Sequence, residues 1–273
     1  MNISLQKKIY QNIKYYLLQR HVYGITSPVR ITPDFLVIGA KRCGTTSLYE
    51  YLGKHPSIKK SFRDHIGFFD SNFHLGLNYY KSFFPTIFEK KFFENKNRKF
   101  LNYDVTSTYI ENSITAKRVF DTLPNSKIIA IIRNPIDRAY SEYNVDKEMN
   151  PEIETFETFV DDEIEKNDIS SNRKNYLKKG FWFLQLKPWF ELFPRKNILI
   201  LSTEEFGRDA NHVFNTIFEF LELERFSIKN PKKFRKGNYS KLNDKTRDRL
   251  TNFFRPHNIQ FYDLVGKNFD WEK

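Results

Sequence analysis

Cysteine occurs once in this chain of 273 residues, as Cys43, so no intrachain disulfide can form and no metal site built from several thiolates is available. A reducing compartment suits such a chain. No run approaches the roughly eighteen consecutive apolar residues of a membrane-spanning helix, and the N-terminus has no apolar core of a secretion signal. The expected location is therefore cytoplasmic. Internal repeats and low-complexity linkers are also missing, which argues against a chain of several modules. Acidic residues are in deficit: 33 Asp and Glu face 45 Lys and Arg, a formal charge of +12. That balance favours an anionic partner, whether nucleotide, acidic polymer, nucleic acid or membrane surface. Lys, Asn, Phe and Ile are heavily used throughout, as a biased genome would also produce, so charge alone selects none of these.

Aromatic residues are abundant instead, with 28 Phe and 15 Tyr, enough to fill one large core. One α/β domain is expected over residues 31–273, preceded by a basic amphipathic arm at 1–30. In the arm Leu5, Ile9, Ile13, Tyr16 and Leu17 recur at helical spacing beside Lys7, Lys8, Lys14 and Arg20. Such a helix packs on the domain with its basic face in solvent, or lies on a membrane surface. Ser27-Pro28 and Thr32-Pro33 end the pattern.

Within the domain, apolar runs at 35–38, 100–105, 126–132 and 197–201 read as strands, with a shorter extended piece at 58–62. Helical patterns cover 45–53, 113–123, the stretch after Pro135, part of 150–175, 180–193 and 209–223. A closing helix precedes the FYDLVGKNFDW segment, and the aromatic stretch 76–93 reads as core and lid packing. Alternating strands and helices predict a central parallel sheet with helices on both faces and ligands at the carboxyl ends of the strands.

The most informative stretch is FLVIGAKRCGTT, residues 35–46: a buried strand, a tight loop, then a helix whose free N–H groups point back into that loop. Gly39 and Gly44 have the G-x-x-x-x-G spacing of a P-loop, but the P-loop lysine position holds Thr45. Positive charge sits inside the loop instead, on Lys41 and Arg42, with hydroxyls on Thr45, Thr46 and Ser47. This suits a small anion bound without a metal. The strand at 126–132 ends in Arg133, where a P-loop ATPase usually has a magnesium-binding aspartate. Burying a guanidinium there is costly unless it meets an anion, or a structural partner such as Asp137 or Asp104.

These residues resemble the sulfotransferases that use 3′-phosphoadenosine 5′-phosphosulfate (PAPS), which implies a P-loop NTPase-like α/β fold. Arg42-Cys43-Gly44-Thr45-Thr46, followed by Ser47-Leu48-Tyr49, match the loop [KR]-x-G-T-[TS] that holds the 5′-phosphosulfate. The resemblance thus assigns Lys41, Arg42, Cys43, Gly44, Thr45, Thr46 and Ser47 to the donor. Arg133, Pro135, Arg138 and Ser141 match R-x-P-x-x-R-x-x-S, in which the first arginine and the serine hold the 3′-phosphate. Arg42 and Arg133 would then mark two separate anion sites. The segment FRKGNYSKL at 234–242 resembles the loop that closes over the nucleotide, through Lys236 and Gly237, with Asn238 where glycan-modifying branches often carry arginine.

Counting back from Phe68-Phe69, the catalytic glutamate of the family's E-x-x-F-F pattern falls on His65, with Asp64 beside it as an orienting group or as the base itself. An imidazole, with an ordinary pKa of about 6.5, suits proton abstraction near neutrality. Asp104 stands where the family has a glutamate, and Val105 where glycan-specific branches have lysine. The resemblance implies in-line sulfuryl transfer from PAPS to a hydroxyl or amine, leaving adenosine 3′,5′-bisphosphate, with no metal. Similarity to the heparan-type branch and the NFDW segment points to a saccharide or glycosylated small molecule as acceptor, with a phenolic or lipid acceptor as the alternative. Two rivals are a P-loop-type small-molecule kinase and a non-catalytic basic module for nucleic acid or membrane. Thr45 and Arg133 argue against the first; the second gives Arg133 and Ser141 no task, so no nucleic-acid partner is expected.

Overall fold

Five parallel strands form the sheet seen among the described residues, in the order β2-β3-β1-β4-β5. They are β1 (Phe35–Gly39), β2 (Ile58–Lys60), β3 (Leu101–Val105), β4 (Lys127–Ile132) and β5 (Ile198–Ser202). The computed structural model describes residues 23–95, 99–165, 175–229, 231 and 239–272. Residues 1–22 of the expected arm, and Lys236, Gly237 and Asn238, lie outside the described residues. The expected α/β class, a central parallel sheet flanked by helices, is what the chain adopts.

Strand β1 is central, paired with β3 on one side and β4 on the other, with Leu36 opposite Asp104 and Val37 opposite Ile129. Helices cover both of its faces, so Phe35, Leu36, Val37 and Ile38 are all fully buried. That double burial explains an unbroken apolar run in place of alternation. Helix α1 (Thr45–Leu52) follows the loop after β1, and α2 (Gly76–Lys81) and α3 (Ile87–Glu94) precede β3. Helix α4 (Ser113–Thr122) links β3 to β4, and α5 (Pro135–Met149) and α6 (Phe156–Glu165) follow β4. Then come α7 (Trp182–Leu192), α8 (Thr203–Arg208), α9 (Ala210–Phe220) and α10 (Asp244–Val265). No helix among the described residues is long and apolar enough to cross a membrane.

A second apolar cluster lies beside the sheet core. Ile136, Ala139 and Tyr143 of α5 pack there with Phe156, Phe159 and Val160 of α6 and Leu250 and Phe254 of α10. Helix α5 is held along its apolar face by this cluster, which fixes the line of polar residues on its other side. The described end of the expected arm also packs on the domain: Arg30 is buried and donates to the Phe84 carbonyl at 2.5 Å.

Two helical boundaries differ from expectation. The single helix expected at 209–223 is preceded by α8, which a capping box starts: Ser202 Oγ accepts from the Glu205 N–H while the Glu205 carboxylate accepts from the Ser202 N–H. Asp209 then caps α9, its Oδ1 accepting from the His212 N–H at 2.9 Å. Helix α10 runs through FYDLV instead of stopping before it, and ends at Gly266 with φ +67°. The buried series Leu250, Phe254, Phe261 and Val265 carries it past Pro256, because packing of one face outweighs one lost backbone bond.

The start of the loop demands glycine on steric grounds. A Cβ on Gly39 would lie 2.5 Å from Ile110 Cγ2 and 3.2 Å from the Ser107 carbonyl oxygen. Gly39→Ala is expected to lower stability by about 1–3 kcal/mol, the cost of overpacking a filled core, read as a lower denaturation midpoint at unchanged slope.

Candidate active site

Consecutive side chains of the loop after β1 diverge toward consecutive residues of α5. Lys41 Nζ lies 3.0 Å from Glu142 Oε1, while Arg42 Nε and Nη2 each lie 3.2 Å from Ser141 Oγ, which accepts. Arg42 has a left-handed backbone, φ +69°, that sends its side chain away from its neighbour's. The loop arginine thus touches the serine that the resemblance assigns to the second anion site.

Cys43 is fully buried, and burial pushes its thiol up to about 12 against the pull of Arg138 and Arg133. Its side chain has no access to a ligand, so only its backbone belongs to the loop surface. Thr203 Oγ1 sits 2.7 Å from the Cys43 carbonyl and 3.0 Å from that of Ile132, tying loop, β4 and α8 together. Gly44 (φ +104°) opens α1, and its carbonyl accepts from the N–H groups of Ser47 and Leu48. Thr45 and Ser47 are buried, Thr46 is half-buried, and the first N–H groups of α1 have no intrahelical acceptor.

Arg133 stands just beyond β4. Its carbonyl accepts from Trp182 Nε1 at 3.0 Å, and its guanidinium has no hydrogen-bond or ion-pair partner among the described residues. Neither proposed structural partner reaches it: Asp137 pairs with Arg247 at 2.6 Å, and Asp104 is occupied elsewhere. Asn134 caps α5 through Oδ1 on the Ile136 N–H, and its own N–H donates to Glu204 Oε1 at 3.0 Å. Arg138, part of the motif, is no ligand contact. It is buried and donates to Glu142 Oε2 at 2.7 Å and to the Tyr176 carbonyl. Burial works against ionising Glu142, but Arg138, Lys179 and Lys41 outweigh it and hold the carboxyl down at about 2. Folding stability from this group is complete above its ordinary pKa and lost as pH falls from about 4.5 to about 2.

The loop carrying Asp64 and His65 closes the other side. His65 is exposed, has φ +54°, and donates its N–H to the Val105 carbonyl at the end of β3, at 2.7 Å. Asp64 is half-buried. Asp104 is fully buried and accepts from Thr106 Oγ1 and Tyr109 OH at 2.9 Å and from Tyr80 OH at 3.0 Å. Burial raises its carboxyl to about 6, with the three hydroxyls only partly offsetting it. Thr106 Oγ1 and Tyr109 OH in turn accept from the N–H groups of Gly67 and Phe68. Asp104 is thus a hub beneath the loop and does not face the cleft.

The carboxyl ends of β3, β1 and β4 bring together Lys41, Arg42, the start of α1, Arg133, Ser141 and the His65 loop. Tyr239, just after Asn238, packs edge-on against Tyr140, next to Ser141, with ring centroids 5.5 Å apart. Sequence reasoning missed Glu142, Lys179 and Thr203. The Ser202–Glu205 capping box was a readable signal for Thr203's helix; Glu142 and Lys179 carry no local one.

The pattern of the sulfotransferase domain matches residues 32–261. The chain belongs to the sulfotransferase family. Relatives of this chain include the membrane-associated sulfotransferase kil1 of Dictyostelium discoideum, 24% identical over 88% of the chain and 66% of that protein. A mouse heparan sulfate glucosamine 3-O-sulfotransferase 3A1 is 27% identical over 88% of the chain and 64% of its own length. Human bifunctional heparan sulfate N-deacetylase/N-sulfotransferase 2 is 26% identical over 86% of the chain, which spans 30% of that longer protein. A crystal structure of a sulfotransferase from Alicyclobacillus acidocaldarius shares the fold, with a TM-score of 0.70 and 24% identity, covering 89% of this chain and all of that one.

Proposed function

We propose that this chain transfers a sulfuryl group from PAPS to a hydroxyl or amine of a saccharide or glycosylated small molecule. The observation that carries this reading is the Arg133 guanidinium, without a partner among the described residues, on the same strand edge as the Arg42–Ser141 contact. A donor with two anionic ends fits that pair of arginines. The loop, with Lys41, Arg42 and the backbone from Cys43 to Ser47, takes the 5′-phosphosulfate; Arg133 and Ser141 take the 3′-phosphate. Lys236, Gly237 and Asn238 complete the donor contacts, an assignment supported by Tyr239 packing beside Ser141.

The donor supplies an activated sulfuryl group and leaves as adenosine 3′,5′-bisphosphate. His65, oriented by Asp64, takes the proton of the acceptor hydroxyl or amine as its oxygen or nitrogen attacks. Arg42 and the first amides of α1 stabilise the negative charge that grows on the departing phosphate oxygen. Relatives named for heparan sulfate support a saccharide acceptor. Peripheral membrane contact through residues 1–30 belongs to the same reading, supported by the basic spacing there and by a relative described as membrane-associated.

Calorimetry with adenosine 3′,5′-bisphosphate in the absence of magnesium tests the reading. Affinity on the order of micromolar is expected; metal-dependent ATP binding would mean a kinase, and binding of neither a non-catalytic module. Arg133→Ala is expected to weaken adenosine 3′,5′-bisphosphate about 10–100-fold, as loss of a charged hydrogen-bond donor does. Adenosine 5′-phosphate, which lacks the 3′-phosphate, should be affected far less. A labelled-PAPS screen over saccharide, phenolic and lipid acceptors then identifies the acceptor.

A further inference from the structure

We propose that Glu142 is a positioning residue that clasps the donor loop to α5 through Lys41 and thereby sets where Arg42 lies. The inference rests on the donor reading of that loop. The Glu142 side chain is 5% exposed and already fixed by Arg138, one helical turn earlier and 1% exposed, at 2.7 Å. Its other oxygen, Oε1, takes two ammonium groups, Lys41 and Lys179, each at 3.0 Å.

The loop's backbone explains why this contact matters. Ala40 N–H donates to the Ile131 carbonyl at 2.7 Å, and Cys43 is held through its own N–H to Ala40 and its carbonyl to Thr203. Between these anchors the side chains of Lys41 and Arg42 tie the loop to α5. One tether would leave a hinge; two adjacent tethers, onto Glu142 and Ser141, fix direction as well as distance. An exposed ion pair ordinarily contributes little, because two long side chains must be ordered at once. Here Arg138 has already immobilised the carboxylate, so only Lys41 loses freedom. Lys179 uses the same oxygen for another purpose, holding the 178–180 turn against α5, where a Cβ on Gly180 would lie 2.7 Å from Pro135 Cβ.

Cys43 offers a readout that needs no ligand. It is the sole cysteine and is buried within the loop, so its rate of modification by a thiol reagent in the native full chain reports loop opening. Glu142→Gln and Lys41→Met are each expected to speed that reaction about ten-fold, and the double variant no further. Affinity for adenosine 3′,5′-bisphosphate should fall by a similar factor in both. Lys179→Met removes a contact from the same oxygen and should leave the labelling rate near wild type. Should Glu142→Gln fold poorly with Arg138 uncompensated, Glu142→Asp keeps the charge but withdraws it from Lys41, and faster labelling is again expected. Unchanged labelling in Lys41→Met, or equal acceleration in Lys179→Met, overturns the clasp. Failure of the wild type to bind the nucleotide would overturn the donor reading instead, and the ligand-free labelling would still decide whether Glu142 holds the loop.

Discussion

Arg42→Gly and Arg42→Ala are both expected to lose sulfuryl transfer from PAPS by about 100–1000-fold, the usual cost of removing a donor to developing negative charge. Their stabilities should fall in the order opposite to the usual one, with the glycine variant about 1 kcal/mol more stable than the alanine variant. Arg42 sits at φ +69°, where any side chain crowds its own backbone and glycine does not. Both variants lose the guanidinium and its two contacts with Ser141, so their difference isolates the backbone. Arg42→Lys keeps the charge but cannot present two nitrogens in a plane to Ser141, and should fall between wild type and alanine in activity. Near-normal transfer by a folded Arg42→Ala would remove Arg42 from the mechanism. A glycine variant no more stable than alanine would show that the loop relaxes, and that its backbone is not held.

This pairing of strain and chemistry extends beyond one residue. Among the described non-glycine residues, φ is positive at Arg42, His65, Glu222 and Asp270. Two of these four are the residues assigned to charge stabilisation and to proton removal. Left-handed backbone at such positions persists only where the surroundings over-determine it. For Arg42 those surroundings are Thr203, Glu142 and Ser141; for His65 they are the Val105 carbonyl and the hydroxyls above Asp104.

The sequence made strand β1, the loop and α1 legible because a doubly covered strand must be apolar throughout and the turn after it needs glycine at fixed spacing. Arg133 was legible for a similar reason, since a guanidinium at the end of a buried strand requires a partner and Asp137 turns out to serve Arg247. Arg138 was legible only as a member of the motif, because motif spacing reports which residues recur, not which way they face. One turn before Glu142 on a helix packed along both sides, it points into protein and bonds Glu142 and the Tyr176 carbonyl. Glu142 itself was invisible: its partners Lys41 and Lys179 come from distant segments, and a glutamate after Tyr-Ser in a polar helix looks like any solvated position. Asp104 was noticed but given the wrong surroundings. It was read as standing at a family glutamate position and as a candidate partner for Arg133, whereas the three hydroxyls that enclose it come from Tyr80, Thr106 and Tyr109.

Those hydroxyls give the second large expected effect. Asp104→Ala should cost about 3–5 kcal/mol, since it leaves buried hydroxyls without an acceptor and opens a void at the sheet edge. Asp104→Asn keeps the shape and is the more informative variant. The Asp104 carboxyl is raised from 3.8 to about 6, chiefly by burial. A raised folded-state value means stability that is complete below about pH 3.8 and lost as pH rises through about 6. The gap corresponds to about 3 kcal/mol, which denaturant titrations should show as a slope across pH 4–6 in the wild type and its absence in Asp104→Asn. The catalytic consequence is separate. Asp104 reaches the His65 loop only through Thr106 and Tyr109, whose oxygens accept from Gly67 and Phe68. Loosening that support should lower the transfer rate about 10–100-fold by misplacing the base. Arg42, Arg133 and Ser141 are held from other elements, so affinity for adenosine 3′,5′-bisphosphate should stay within about two-fold. A variant that loses nucleotide affinity along with rate would mean that Asp104 supports the whole strand edge, and that its hydroxyls do not act on the His65 loop alone.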